Sequence, residues 1–390
     1  MTTSNETRWG LILVIWAAGL GGAAQYGKIS VVFDRMAELY PLAGGSIGFT
    51  VSLVGLLGIL FGVIAGMFVG AIGYRRTLVW ALWVGAAMSA LQAFHLPFPA
   101  FLATRVVEGL SHLGLVVAGP TLIAQVSSEK SRGLAMTLWS TFFGVAFALF
   151  AWAGRPVVEV YGLQAMFLAH AIWMAVSVLG IAVIGLPDDE LQDAAQVRLT
   201  LGGVLRQHWA VYRSPFMNAA AVGWLFYTFC FVSLLTLLPP YIAPEWRTFT
   251  VGAIPLMSMI SSMTFGVWLL RYWRIVQVIQ TGFLISAGAA VVLILVPGSP
   301  FVCLVLAGAL GLIQGASFAL VPELNDTAAD RASANGVFAQ AGNFGNTIGT
   351  PILLAVVAVS GYGSMMLVSA VLLLMGAVSH VMLARARARS

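Results

Sequence analysis

Apolar residues fall into twelve long runs that are separated by mostly short polar connections. A transmembrane helix needs about 20 mostly apolar residues, and the runs approach or exceed that length. The pattern therefore predicts an all-α membrane protein. Its spans are expected at residues 9–33, 46–69, 77–95, 100–124, 133–154, 163–185, 216–242, 249–270, 274–296, 301–322, 334–359 and 363–384.

One connection divides the runs into two sets of six. Residues 186–215 form the longest connection, which is polar and has three acidic residues directly after Pro187. We interpret it as a cytoplasmic linker with an amphipathic turn near 200–212. It would join an N-terminal six-helix bundle, residues 1–185, to a C-terminal six-helix bundle, residues 216–390.

A short turn sequence recurs in the two sets. Residues 66–76 read GMFVGAIGYRR and residues 266–276 read GVWLLRYWRIV, and each segment follows the second run of its set. Both begin with glycine and carry arginines. Internal repeats of six spans are typical of secondary transporters, which bind substrate between the repeats. The repeat therefore predicts two pseudo-symmetric halves with a central substrate site.

Composition and charge agree with a chain whose main solvent is lipid. Hydrophobic residues make up 60% of the chain and charged residues 8%, against about 25% charged in soluble domains. Of the 19 Lys and Arg residues, 14 lie on one side of the predicted spans. This asymmetry predicts that both termini are cytoplasmic and that the net charge reflects topology, with no role in binding nucleic acid. We expect a monomer in the cell inner membrane, with the first span retained because no signal-peptide pattern precedes it.

Several kinds of site have no motif in the sequence. Cys230 and Cys303 lie inside predicted spans and have neither a disulfide framework nor metal-ligand spacing, so we interpret them as packing residues. No glycine-rich phosphate-binding loop occurs. We therefore expect no cofactor and no enzymatic activity.

Four ionisable residues stand out inside predicted spans: Lys28 in the first, and Arg105, Glu108 and His112 in the fourth. Such residues are costly inside a membrane and usually face a cavity or a partner. Positions 105, 108 and 112 share one helix face, at a depth close to that of Lys28. We expect one polar cluster. The alternatives are that Lys28 snorkels outward, that Arg105 and Glu108 form a structural pair, and that His112 is a buried imidazole.

The charge of this cluster predicts its ligand. Two cations and one carboxylate leave a net positive site, which favours a carboxylate substrate at Lys28 and Arg105. Glu108, together with His112, is the candidate for carrying a coupling proton. Neutral hydrogen-bonding residues of the C-terminal half are candidates for orienting the substrate: Tyr227, Gln314 and Asn343.

Three segments carry motifs of one family. Gly66, Gly73 and Arg75 match the turn pattern G-x-L-x-D-R-x-G-R-K, whose aspartate is missing here. Residues 105–109 (RVVEG) are similar to R-x-x-Q-G in the fourth span, and residues 339–351 read AQAGNFGNTIGTP in the eleventh. Together they resemble the major facilitator superfamily over nearly the whole chain. The resemblance implies twelve helices that open alternately to the two sides of the membrane. It also implies that an ion gradient is the energy source.

The resemblance also implies a gate on the cytoplasmic side. Its candidate residues are Gly66, Gly73, Arg75, Arg76, Arg271 and Arg274. Alternatively, the arginines only set topology. Glycines recur at four-residue spacing from Gly58 to Gly70 in the second span and at Gly345 and Gly349 in the eleventh, and we expect these two stripes to face each other. Ordinary helix packing is the alternative.

The first span has a second resemblance. Residues 23–36 read AAQYGKISVVFDRM, which is similar to the first span of monocarboxylate transporters. It implies that Lys28 is a substrate-binding lysine. The Asp and Arg that those transporters carry in the eighth span are not both present here.

The function that we expect is proton-linked transport of a small organic anion. A proton-coupled efflux pump for amphipathic drugs is the alternative. Two observations argue against it: the fifth span of this chain matches the pattern of that class poorly, and the polar cluster has a net positive charge. A membrane scaffold or sensor is a third hypothesis. The lack of an extramembrane domain in the sequence argues against it.

Overall fold

The computed structural model describes residues 6–186 and 201–389, and the regular structure in these ranges is helical. The expected all-α fold is confirmed. The α-helices are, in chain order, α1 Trp9–Ser30, α2 Phe33–Leu39, α3 Phe49–Ser52, α4 Leu56–Ile72, α5 Tyr74–Gln92, α6 Phe98–Gln125, α7 Glu129–Ser140, α8 Phe142–Leu149, α9 Arg155–Ile184, α10 Leu201–Arg213, α11 Ala219–Leu237, α12 Pro244–Ser261, α13 Val267–Leu269, α14 Ile275–Leu295, α15 Pro300–Leu324 and α16 Ala328–Arg387. π-helical turns lie at Phe150–Gly154 and Ser262–Gly266.

Nine helical stretches of the described chain are long and apolar enough to cross a membrane. Two of them, Glu129–Ile184 and Ser333–Arg387, exceed the length of one span. Each is interrupted by a glycine with positive φ, at Gly162 (81°) and Gly361 (78°). The helix before Gly162 continues beyond residue 154, where the pattern predicted its end. α5 is not among the nine because two arginines in its first turn lower its hydropathy. The twelve-span count stays a prediction.

The described residues form two compact units. The first takes in those of Met1–Tyr40 and Ile64–Arg198, and the second those of Pro41–Val63 and Leu199–Ser390. The amphipathic turn predicted near 200–212 is the helix α10, whereas residues 187–200 of the predicted linker lie outside the described ranges. The two six-helix bundles stay a prediction.

Large apolar side chains cover the outside of the helices, while polar side chains lie inside. Val183 is 86% exposed and Phe301 74%, whereas Ser89 and Ser111 are fully buried. Lipid is as apolar as leucine, so close packing and interhelical hydrogen bonds hold membrane helices together in place of the hydrophobic effect. Buried polar residues therefore mark the helix contacts in this chain.

α1 is fixed to α9 at both ends. Arg8 donates hydrogen bonds to two backbone carbonyls at the C-terminal end of α9, at 3.0 and 2.9 Å, where the helix dipole favours a cation. Beyond the other end of α1, Arg155 of α9 donates to the carbonyl of Val31 at 3.0 Å and pairs with Asp34 at 2.9 Å. These contacts hold α1 in register and thereby set the position of Lys28.

α16 packs closely on α11 through two glycines. A Cβ atom at Gly345 would overlap the Thr228 hydroxyl, and one at Gly349 would overlap the carbonyl oxygen of Phe229. The missing side chains let the two backbones approach, as small residues do in other membrane helix pairs.

The expectation that the two glycine stripes face each other is wrong. Gly345 and Gly349 face α11, whereas Gly58 and Gly62 of α4 lie against side-chain and backbone atoms of Asn343 and Gln340. The physical reason is helix periodicity, because positions 340 and 343 lie on a different face of α16 from positions 345 and 349. Gly66 lies in α4, but its surroundings are outside what the structure describes.

Substituting Gly349 tests this close approach. In Gly349→Ala the new methyl group meets backbone that cannot move freely, so we expect a loss of about 1–3 kcal/mol in stability. Gly288→Ala is the matched control, since Gly288 is also helical and nothing lies within 4 Å of its Cβ position. Thermal unfolding of detergent-purified protein measures both, and equal stability of the two variants would contradict the packing.

Candidate functional site

Lys28 is completely buried, and all of its donors are used. Its Nζ donates to Ser89 Oγ at 2.5 Å, to Gln92 Oε1 at 2.8 Å and to Glu108 Oε1 at 2.6 Å. An ammonium group has three N–H bonds, and each one has an acceptor on α5 or α6. Lys28 is therefore held inside the first unit, and the snorkelling arrangement does not occur in this structure.

Glu108 lies between two cations. Its Oε1 accepts from Lys28, and its Oε2 accepts from Arg105 Nη1 and from Gln92 Nε2, the latter at 3.0 Å. Arg105 also donates from Nη2 to the backbone carbonyl of Gln25 at 2.5 Å. Arg105 and Glu108 meet because they are three residues apart on α6. Lys28, Arg105 and Glu108, which we call the charged cluster, are each 0% exposed.

Neutral side chains complete the charged cluster. The amide of Gln92 has a fixed orientation, because its oxygen accepts from Lys28 while its nitrogen donates to Glu108 and, at 3.0 Å, to Thr104. A separate hydrogen bond, from Gln25 Nε2 to Ser111 Oγ at 2.7 Å, does not involve the side chains of the charged cluster. Burying an ion costs several kcal/mol, and only saturating hydrogen bonds and partner charges offset that cost.

The charged cluster carries excess positive charge. Two cations face one carboxylate, and their side chains have no access to solvent. Electrostatic interactions are strong in such a low-dielectric environment. An additional anion, or the loss of one cation, would balance the charge.

His112 is buried near the charged cluster but is not hydrogen-bonded to it. Its Nδ1 lies 3.1 Å from the carbonyl oxygen of Gly22, and its ring meets Tyr26 edge to face at 5.2 Å. A second buried histidine, His170 of α9, is linked to the cluster through Ser89, because its Nδ1 lies 2.6 Å from Ser89 Oγ, which accepts from Lys28. Sequence reasoning missed His170, although an ionisable residue inside a predicted span was the signal.

Two of the three predicted substrate-orienting residues come together in the second unit. Tyr227 donates to Gln314 Oε1 at 3.1 Å, and Ser258 donates to the same atom at 3.3 Å. Asn343 donates instead to Ala339 of its own helix at 2.9 Å. Within the described ranges, no hydrogen bond links Asn343 to Tyr227 or Gln314.

Metal binding has no support in the described part of the chain. No three His, Cys, Asp or Glu residues there are grouped so that they could hold a metal ion. Cys230 and Cys303 are both buried as free thiols.

The sequence profile of the Major Facilitator Superfamily matches residues 11–329. The chain belongs to the Major Facilitator Superfamily. It is also similar to the inner membrane transport protein YajR of Escherichia coli strain K12, with 26% identity over 172 residues, which is 44% of this chain. The match spans only 37% of the length of YajR.

Membership confirms the resemblance found in the sequence motifs. Members of this superfamily are transporters, so the chain is a multi-pass membrane protein of a secondary transport family. Membership identifies neither the substrate nor the coupling ion.

The superfamily's turn motif lies between α4 and α5. Gly73 forms the turn with a φ of 104°, which favours glycine. The arginines of this turn and of its counterpart before α14 have exposed side chains: Arg75, Arg76, Arg271 and Arg274. The backbone N–H of Arg274 donates to Gln277 Oε1 at 3.0 Å and so caps α14. The gating role of these residues stays a prediction.

Neutralising different members of the charged cluster has unequal effects on stability. Glu108→Gln removes the carboxylate that two buried cations share, so we expect unfolding to become about 3–5 kcal/mol easier. Lys28→Met leaves an Arg105–Glu108 pair with no net charge, so we expect a smaller loss. Chemical or thermal unfolding in detergent measures the difference.

Glu38→Gln is the matched control for burial. Arg35 and Glu38 are also an Arg–Glu pair three residues apart, at 2.9 Å, but Glu38 is 64% exposed. We expect its loss to be below about 1 kcal/mol. Equal losses in Glu108→Gln and Lys28→Met would show that net charge does not determine the stability of the cluster.

Proposed function

We propose that the protein transports a small organic anion, a carboxylate, by alternating access, and that a proton on Glu108 drives the transport. One observation carries this proposal: a buried carboxylate, Glu108, bridges Lys28 and Arg105. The superfamily supplies the secondary transport class, and the charged cluster supplies the argument for the substrate and the coupling ion.

Glu108 acts as an internal substitute for the substrate. Its two oxygens take donors from Lys28, Arg105 and Gln92. A guanidinium and an ammonium placed in this way bind any carboxylate of the same geometry through charge-assisted hydrogen bonds. A substrate carboxylate therefore competes with Glu108 for these donors.

Protonation decides that competition. A proton on Glu108 removes its negative charge, so Lys28 and Arg105 lose the carboxylate that they share. An incoming anion then balances one of the two positive charges, so each binding event favours the other. Linkage is reciprocal, so the anion must raise proton affinity by the same factor by which the proton raises anion affinity.

Tyr227 and Gln314 are proposed to orient the substrate by neutral hydrogen bonds. Tyr227 is buried, and its ring stacks on Trp224 with the ring centres 4.4 Å apart. The gating role of the turn arginines remains part of the proposal, as does the role of His112 in proton coupling.

The transport proposal also includes twelve spans in two halves, an inner-membrane location and cytoplasmic termini. Breaks at Gly162 and Gly361 support the span count, because they divide the two overlong stretches. Placement of 14 of the 19 basic residues on one side supports the orientation.

Proteoliposome uptake tests the substrate class and the coupling together. Panels of labelled small carboxylates and of lipophilic cations are offered under an imposed pH gradient. We expect gradient-driven accumulation of a carboxylate by the wild-type protein. In Glu108→Gln we expect accumulation to be lost, while exchange of labelled for unlabelled anion continues and shows that the protein is folded.

Glu38→Gln should accumulate the anion like the wild-type protein, since Glu38 is exposed and outside the charged cluster. Gradient-driven movement of lipophilic cations alone would replace this proposal with drug efflux. Normal accumulation by Glu108→Gln would show that Glu108 does not carry the coupling proton.

A further inference from the structure

The transport proposal assigns no role to His170, a buried histidine. It lies on α9 and is 1% exposed. Its Nε2 is 2.8 Å from the carbonyl oxygen of Gly21, and its Nδ1 is 2.6 Å from Ser89 Oγ. The same Ser89 oxygen is 2.5 Å from Lys28 Nζ.

The partners of His170 fix its tautomer. A backbone carbonyl can only accept a hydrogen bond, so Nε2 must carry a hydrogen. In a neutral imidazole the other nitrogen is then an acceptor, and the Ser89 hydroxyl must donate to it. The hydroxyl hydrogen thus points towards His170, and the oxygen lone pairs remain available to the ammonium of Lys28.

We propose that His170 is a positioning residue for Lys28 and acts on it through Ser89. In its neutral Nε2–H form it accepts the Ser89 hydrogen, which turns the Ser89 oxygen towards Lys28. The inference deepens the proposed function and rests on it only in assigning Lys28 to substrate binding. The hydrogen-bonded chain itself is independent of any substrate.

Protonation of His170 would undo this arrangement. An imidazolium donates from both nitrogens, so Nδ1–H would occupy a lone pair of the Ser89 oxygen, and the Ser89 hydrogen could no longer point at His170. It would also add a third cation beside Lys28 of α1 and Arg105 of α6, with only Glu108 of α6 to balance them. Ser89 of α5 and the Phe150 ring of the π-helical turn, which also contact His170, carry no charge. Protonation of His170 would therefore weaken the hydrogen bond between Lys28 and Ser89.

Nitrogen NMR of ¹⁵N-labelled protein in lipid bilayers tests the chain directly, without a substrate. His170→Gln identifies the His170 signals among those of the five histidines. We expect the wild-type protein to show a protonated Nε2 and an unprotonated Nδ1. A protonated Nδ1 with an unprotonated Nε2 would overturn the inference.

The second readout is the exchange of the Lys28 ammonium hydrogens with solvent. Ser89→Ala and His170→Gln should each accelerate it about tenfold, the factor expected for one lost hydrogen bond. Ser89→Thr, which keeps a hydroxyl, should restore the wild-type rate. Unchanged exchange in His170→Gln would show that His170 does not act on Lys28.

Ser111→Ala is the matched control. Ser111 is equally buried and bonded to Gln25 at 2.7 Å, but its bond is not to Lys28 or His170. Both readouts should stay at wild-type values in this variant. A change equal to that of Ser89→Ala would overturn the inference, because it would show that any lost buried hydrogen bond loosens the helix packing enough to cause the effect. Failure of the anion-transport proposal would leave these measurements unaffected, so the two failures are distinguishable.

Discussion

The burial of three charges beside one another constrains the first unit more than any other interaction. Lys28, Arg105 and Glu108 have no solvent to stabilise them, and each buried ion costs several kcal/mol unless its hydrogen bonds are satisfied. Satisfying them requires acceptors and donors from α1, α5 and α6 at the same depth. The packing of these helices follows from that requirement, because a shift along one helix axis would leave a buried charge without a partner.

Other features of the first unit serve the same constraint. Arg8 and Arg155 hold the two ends of α1 on α9 and so fix the depth of Lys28. His170 enters from α9 and closes the chain of hydrogen bonds that begins at Lys28. A cluster that is saturated yet unbalanced in charge is stable at rest and sensitive to one added proton or anion. That combination is what coupled transport requires, because binding must change the state of the protein.

The sequence predicted the helical class, the superfamily and the charged cluster, because each depends on local pattern or on charge in an apolar run. Lys28, Arg105 and Glu108 stand out in this way. Ser89 and Gln92 do not, since neutral polar residues are common in membrane helices and their role depends on contacts across helices. The prediction that the two glycine stripes face each other was wrong for the same reason. Spacing along one helix does not reveal which neighbouring helix a given face contacts. His112 and His170 look alike in the sequence. Only the packing shows that His170 is linked to Lys28 through Ser89.

Measuring proton uptake on anion binding is the sharpest test of whether Glu108 couples a proton to the substrate. A carboxylate that binds the detergent-purified protein is added in weakly buffered solution containing a pH indicator. We expect about one proton to be taken up for each anion bound, as reciprocal linkage requires. Glu108→Gln should bind the anion without proton uptake. Anion binding to the wild-type protein with no proton uptake would contradict the proposed coupling between substrate binding and protonation of Glu108.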